Sequence, residues 1–172
     1  MREAGLIDSL KRHNRNITDL GDITVEKYFE PRGKIRKPRG VGLNNERLAE
    51  MVKKAMHTYH TVINLGGDHS MAMGTVSGHA QSLYNGKKPA VIWVDAHADI
   101  NTPVSSKSGN MHGQPVSFLM EEFHDSRMQL SGFDWLNPSI NGNDIAYIGL
   151  RDVEPAEVEF LKRYDLLCKT ST

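Results

Sequence analysis

The fold is decided by the stretch Ala90-Val91-Ile92-Trp93-Val94-Asp95-Ala96-His97-Ala98-Asp99, in which an apolar run leads directly into three side chains that can bind a metal. The run predicts a buried β-strand. Side chains alternate along a strand, so Asp95, His97 and Asp99 would project to one side of an extended chain. Two carboxylates and an imidazole favour a borderline-hard divalent ion such as Mn²⁺. The alternative interpretation is a turn closed by hydrogen bonds to the Asp side chains.

A second candidate ligand, His69, also follows an apolar run. It stands in Leu65-Gly66-Gly67-Asp68-His69-Ser70, after the run at 61–65. A single histidine is more often a structural residue than a ligand. Open α/β sheets, however, build their sites at the carboxyl ends of strands, where both segments place their ligands. The two segments together predict a metalloenzyme.

The composition argues against nucleic-acid-binding, membrane and disulfide-rich proteins. The chain has 172 residues, enough for one domain with a core. Lys and Arg number 21 and so do Asp and Glu, which gives no reason to expect a nucleic-acid or membrane partner. The single cysteine, Cys168, excludes a disulfide framework and a zinc site built from cysteines. No apolar stretch approaches the ~20 residues that span a bilayer, and Met1 to Gly5 do not begin a signal peptide. We expect a soluble cytoplasmic protein, with the mitochondrion as the alternative compartment.

Hydrophobic periodicity predicts alternating strands and helices, and therefore an α/β fold with a parallel sheet. Asn44 and Asn45 are expected to cap the second helix. Gly74 and Gly78 should let the third helix pack closely against the sheet. The basic segment 31–40 is expected to be a solvated surface loop, with anion binding as the alternative. Helices are predicted at 2–13, 44–60, 70–83, 114–123 and 155–166, and strands at 61–65, 90–95 and 144–150, with a further strand near Gly21.

A long polar loop, 101–113, follows the metal motif. Loops after strand-end ligands are where α/β enzymes recognise substrates, and hydroxyl and amide groups here could bind a carboxylate or an ammonium group. The alternative is a solvated surface loop. Within it, His112 can transfer protons near neutral pH.

Taken together, these motifs resemble arginase, of the ureohydrolase family. The resemblance runs from near residue 1 to about residue 166. It implies a parallel sheet flanked by helices in three layers, here incomplete, and usually assembled as a homotrimer. It also implies hydrolysis of L-arginine to L-ornithine and urea with two Mn²⁺ ions per subunit. Agmatinase, which acts on decarboxylated arginine, is a weaker alternative because the carboxylate-reading loop is intact. The resemblance rests on the segments 66–70, 94–103, 108–115 and 148–153.

The resemblance assigns roles to individual residues. One ion would be bound by His69, Asp95 and Asp99, with Asp95 bridging to a second ion that His97 binds. His112 would shuttle a proton. The substrate's α-carboxylate would be held by Asn101, Ser106 and Ser108, and its α-amino group would lie near Glu154, where arginases commonly carry the shorter Asp.

The family extends beyond this sequence at both ends. Residues 1–166 correspond to a partial arginase-like domain, and 167–172 are expected to be a divergent tail. The rest of the family's sequence carries two more aspartate ligands in a D-x-D-x-x-D-P motif and a glutamate that receives the guanidinium group. Since only Asp95 and Asp99 remain to balance the ions, we expect one Mn²⁺ or fewer here, and weak or absent activity for the chain alone. The alternative is a non-catalytic partner of full-length arginase subunits.

Overall fold

A computed structural model describes residues 1–13, 16–126 and 130–169. At its centre is a parallel sheet of three strands, β1 (Val91–Val94), β2 (Ile145–Ile148) and β3 (Leu167–Lys169), in the order β1-β2-β3. Trp93 lies opposite Tyr147, which in turn lies opposite Cys168. The parallel α/β fold is therefore confirmed. The stretch predicted as a divergent tail contributes the third strand.

Helices pack against one face of this sheet, and short 3₁₀ turns precede two of them. The turn at His69–Met71 leads into a helix, and the turn at Met111–Gly113 leads into another. Further 3₁₀ turns lie at Glu121–Ser126 and Gly142–Asp144. The helices are α1 (Leu6–Arg12), α2 (Pro38–Thr58), α3 (Ala72–Ser82), α4 (Pro115–Leu119) and α5 (Pro155–Arg163). In the described part of the chain, no helix has the length and apolar content needed to cross a bilayer.

Helix α2 begins six residues before its predicted caps, because Pro38 fits the first helical turn, where no backbone N–H is needed. The predicted capping role of Asn44 and Asn45 is therefore wrong. The Asn45 side chain instead accepts a hydrogen bond from the Gly74 N–H at 2.8 Å, and so joins α2 to α3. A Cβ on Gly78 would overlap the carbonyl oxygen of Ala49. The small residues of α3 thus serve helix-to-helix packing rather than packing on the sheet.

The core lies on one side of the sheet. Tyr147, Ile100 and Phe123 are completely buried there. Trp93 of β1 is also buried, whereas its neighbours Ile92 and Val94 are 68% and 71% exposed. The predicted burial of this strand therefore holds on one face only, because none of the described helices covers the second face.

Two predicted strands are absent from the described residues. The run 61–65 forms no strand in the described part of the chain, and its Ile63 and Leu65 are exposed. No strand forms near Gly21 either. A strand needs backbone hydrogen bonds to a neighbour, and among the described residues neither segment forms them.

Candidate metal centre

The metal motif begins where β1 ends. The Asp95 N–H donates to the Ile148 carbonyl at 3.1 Å, which extends the pairing of β1 with β2 by one residue. The chain then turns. The His97 N–H donates to Oδ1 of Asp95 at 3.0 Å, and Asp99 adopts a left-handed conformation with φ 51°. The expectation of an extended chain is therefore wrong. The turn closed by the Asp95 side chain was the alternative to a metal site in the sequence analysis. In the structure this turn is what brings the side chains of Asp95 and Asp99 together.

The turn brings Asp95 and Asp99 to His69. The Nδ1 atom of His69 lies 2.8 Å from Oδ2 of Asp95 and 2.7 Å from Oδ2 of Asp99. Asp68 holds the 3₁₀ turn that carries His69, since its Oδ1 accepts the Ser70 N–H at 2.9 Å. The His69 ring meets the buried Trp93 ring edge to face, with 5.2 Å between centroids. His69 is therefore held by the 3₁₀ turn before α3, and Asp95 by its backbone pairing at the end of β1.

These three residues meet the chemical requirements of a divalent-ion site. One ligand atom from each of His69, Asp95 and Asp99 lies within 4.8 Å of the others. One imidazole nitrogen and carboxylate oxygens suit Mn²⁺ and related ions. The structure thus assembles His69, Asp95 and Asp99 as a candidate metal site.

The two carboxylates differ in electrostatic environment. Burial acts to raise the pKa of Asp95, but the His97 N–H and the neighbouring His69 outweigh it, so this pKa lies below its ordinary value. Burial raises the pKa of the more enclosed Asp99, against the opposing hydrogen bond from His69. Asp95 therefore holds its negative charge more readily than Asp99 does. A cation at the cluster would stabilise the charged form of both.

His97 lies beside this cluster rather than in it. Its Nδ1 is 3.3 Å from Oδ1 of Asp95, and its Nε2 is 3.3 Å from Oδ2 of Asp152. Burial acts to lower the pKa of His97, but hydrogen bonds to the two carboxylates outweigh it and leave this pKa raised. Asp152 had no role assigned from the sequence. Its position shortly after the end of β2 was the signal that it would reach this edge of the sheet.

The polar loop is held together by its own hydroxyl groups. Asn101 is buried, and its Oδ1 accepts a hydrogen bond from Ser105 at 2.8 Å. The buried Ser106 accepts the Gly109 N–H at 3.1 Å. Ser108 is exposed, and its Oγ accepts the Asn110 N–H at 3.2 Å, which leaves its own proton available to another acceptor. Of the three residues assigned to the carboxylate, only Ser108 thus presents its side chain to solvent.

His112 and Glu154 occupy two further edges of the region. His112 is exposed on the 3₁₀ turn Met111–Gly113, which packs against the turn that carries His69. Glu154 is exposed and caps α5, with its carboxylate accepting the backbone N–H of Glu157. Both side chains are exposed, and the roles assigned to them from the sequence stay predictions.

Glu157 is a site-supporting residue that the sequence analysis missed. It is 3% exposed, and its two carboxylate oxygens accept the Ile100 N–H at 3.1 Å and the Glu154 N–H at 3.0 Å. It therefore ties α5 to the residue that follows Asp99. Burial raises the pKa of Glu157. Its position three residues after Glu154, at the start of a helix, is the pattern of a capping box and was the available signal.

Comparison with known proteins identifies the family. The Arginase family profile matches residues 1–170. Human mitochondrial arginase-2 is 48% identical over 169 residues, covering 96% of this chain and 47% of the human protein. Arginase from Bacillus subtilis superposes with a TM-score of 0.82 at 34% identity, covering 98% of this chain and 56% of that one. Entamoeba histolytica arginase in complex with L-ornithine has a TM-score of 0.78 at 25% identity, covering 98% and 55%. The chain spans about half the length of the curated relatives it matches. By this sequence match and this fold, the chain belongs to the arginase family.

Proposed function

We propose that the protein serves the manganese-dependent hydrolysis of L-arginine to L-ornithine and urea. The observation that carries the proposal is the convergence of His69, Asp95 and Asp99 at the carboxyl end of β1. Membership of the arginase family supports a hydrolase of the ureohydrolase type. The Entamoeba relative, in complex with L-ornithine, supports an amino-acid ligand.

In this proposal His69, Asp95 and Asp99 hold Mn²⁺. When bound, the ion supplies a Lewis acid that activates water and stabilises developing negative charge. His112, whose imidazole is exposed, moves protons to and from the reacting groups. Water reaches both His112 and His69, since both side chains are exposed.

The polar loop and α5 would hold the ends of the substrate. The Ser108 hydroxyl donates to the α-carboxylate, while the buried Asn101 and Ser106 keep the loop in shape for that contact. Glu154 attracts the α-ammonium group at the start of α5. A carboxylate-reading loop of this kind favours arginine over its decarboxylated relative, the substrate of an agmatinase.

The charge of the cluster sets the expected metal content. Asp95 and Asp99 balance one divalent ion, and further positive charge at short range would be repelled. We therefore expect one Mn²⁺ or fewer per chain. His97 would be a ligand of the second ion that two-metal members of the family bind, and we expect that ion to bind weakly or not at all here. As the compartment we propose the cytoplasm, with the mitochondrion as the alternative that the name of the human relative suggests.

Manganese titration followed by an activity assay tests this function. Calorimetric titration of the chelator-treated chain should show about one site, and His69→Ala should weaken binding by about tenfold or more. His60→Ala, which removes an exposed histidine outside the cluster, is the matched control. Urea release from L-arginine, with agmatine as the competing substrate, then measures turnover. Equal Mn²⁺ affinity in His69→Ala and His60→Ala would contradict the assignment.

One observation favours a second candidate, a non-catalytic partner of full-length arginase subunits. The uncovered face of the sheet exposes Ile92, Val94 and Ile148, an apolar surface suited to association. Co-purification with a complete arginase subunit, without gain in urea release, would support this candidate over the catalytic one. Turnover by the isolated chain would contradict it.

A further inference from the structure

The basic segment 31–40 is not a free surface loop. Lys34 Nζ donates to the carbonyl oxygen of Val104 at 2.8 Å. Arg36 Nε donates to the carbonyl oxygen of Ser108 at 3.1 Å, and the Arg36 backbone N–H donates to that of Gly109 at 2.9 Å. All three acceptors belong to the polar loop 101–113. Lys34 and Arg36 are exposed, as expected of a solvated surface loop, but both also bind the polar loop. The expectation of a loop is wrong at residues 38–40, which belong to α2.

The two segments meet at a backbone-to-backbone contact. Gly109 has a positive φ of 69°, and a Cβ added to it would overlap the carbonyl oxygen of Lys34. Between Lys34 and Arg36, the side chain of Ile35 is 6% exposed and packs in the cluster that contains Met111 and Phe118. Ile35 thus anchors the basic segment, and Gly109 allows the loop to approach it.

The charges on this segment remain uncompensated by carboxylates. Across the described ranges, neither Lys34 nor Arg36 forms an ion pair with an Asp or Glu. Arg36 contacts the loop through the carbonyl of Ser108, the residue whose hydroxyl faces solvent. A positive charge therefore lies next to the one exposed hydroxyl of the carboxylate-reading set.

We propose that Arg36 is a positioning residue for the carboxylate of an amino-acid ligand. Its hydrogen bond to the Ser108 carbonyl holds the loop in place, and its positive charge attracts the carboxylate. This inference rests on the proposed function, since it assigns a further residue to the same ligand site. The hydrogen bond fixes the turn 106–110, and the uncompensated charge favours an anionic group at the Ser108 hydroxyl. A diamine without a carboxylate gains nothing from that charge.

The first experiment measures the loop without any ligand. Hydrogen exchange at the Gly109 and Asn110 amides, both of which donate to loop hydroxyls, reports the order of the turn. Arg36→Ala should speed their exchange about fivefold, whereas Arg32→Ala, which removes a charge from the same exposed segment, should not. Arg36→Gln should restore protection, because its side-chain N–H lies as many bonds from the backbone as Nε of Arg36. Equal exchange in Arg36→Ala and Arg32→Ala would overturn the positioning role.

The second experiment adds the ligand. L-Ornithine and 1,4-diaminobutane, which lacks the carboxylate, are titrated calorimetrically into the full chain with Mn²⁺ present. Arg36→Ala should weaken L-ornithine binding about fivefold or more and leave diaminobutane binding unchanged, and Arg36→Gln should recover only part of the ornithine affinity. Equal weakening of the two ligands would overturn the carboxylate assignment. Failure of the unmodified chain to bind L-ornithine would count against the proposed function, while the exchange measurement still decides the role of Arg36 in the loop.

Discussion

The Nδ1 atom of His69 lies 2.7 Å from Oδ2 of Asp99, although thirty residues of chain separate the two side chains. This approach joins the 3₁₀ turn before α3 to the turn after β1. Asp95 completes the cluster from the end of the strand. The geometry predicts how each supporting contact should respond to substitution.

Asp99 combines a ligand side chain with a left-handed backbone, φ 51°. Asn and Asp adopt this conformation more readily than Ala does. Asp99→Asn should therefore keep the thermal stability of the metal-free chain and lose about tenfold or more in Mn²⁺ affinity. Asp99→Ala should lose the affinity and, in addition, about 1 kcal/mol of stability. Thermal unfolding with and without Mn²⁺ separates the two effects, and equal stability of the two variants would argue against backbone strain at this position.

Gly109 is the position where the polar loop crosses the basic segment. Gly109→Ala would place a methyl group on the Lys34 carbonyl at a positive φ, so the two segments must separate. We expect a loss of about 2 kcal/mol or more in the free energy of unfolding by urea. Gly113→Ala is the control, since no atom lies within 4 Å of its added Cβ. Similar losses in the two variants would mean that the crossing contributes little to stability.

Glu157 gives stability a pH dependence of known sign. Burial raises its pKa in the folded chain, so between the unfolded value of about 4.3 and the folded value the native state retains a proton that the unfolded state has released. This group's contribution to stability therefore falls as pH rises through that window. In Glu157→Gln the contribution is absent, so from about pH 4 to pH 7 the variant should gain stability relative to the parent chain.

Urea unfolding at a series of pH values measures that slope. A constant offset between the chains is expected, because Gln cannot accept both the Ile100 and the Glu154 N–H groups. The part of the stability difference that changes with pH can be separated from this constant offset. Glu50→Gln, at an exposed carboxylate of α2, is the control. A difference between Glu157→Gln and the parent chain that stays flat across this range would refute the assignment.

Tyr147 links β2 to the segment that carries the ligands. Its buried hydroxyl donates to the Ala98 carbonyl at 3.0 Å, one residue before Asp99. Tyr147→Phe should lower the free energy of unfolding by about 1–2 kcal/mol, because the Ala98 carbonyl loses this donor in a dry environment. Chemical denaturation measures the loss, and Tyr84→Phe at an exposed ring serves as the control. An unchanged midpoint in Tyr147→Phe would show that water or another donor replaces the phenol.

The sequence was most informative where the relevant interactions are local. The apolar run before Asp95 predicted β1, and the ligands at the ends of two apolar runs predicted the cluster that the structure assembles. The sequence could not decide whether the segment after Asp95 is a strand or a turn. The hydrogen bond that makes it a turn joins two residues only two positions apart, and such a bond leaves no periodic pattern in the sequence. Asn45 shows the same limit. Its residue type suggests a helix cap, whereas its contact with Gly74 depends on how α2 and α3 pack.

Longer-range contacts were missed for a physical reason. Glu157 meets Ile100 across 57 residues, and Arg36 meets Ser108 across 72. From the sequence alone, a charged side chain such as that of Arg36 or Glu157 is expected to face water. Only the fold shows that each one binds backbone groups of a distant loop. The run 61–65 is the opposite case, since its composition predicts a strand but it pairs with no described strand.

The pairing of Asp95 with Ile148 has a consequence for the order in which the chain is made and the order in which the site is assembled. His69, Asp95 and Asp99 all leave the ribosome before β2, and yet the Ile148 carbonyl and the Tyr147 hydroxyl hold the end of β1 and the turn that follows it. Domains fold as units as synthesis proceeds from the amino end. We therefore expect the ligand cluster to reach its final geometry only after β2 has been synthesised and has docked against β1.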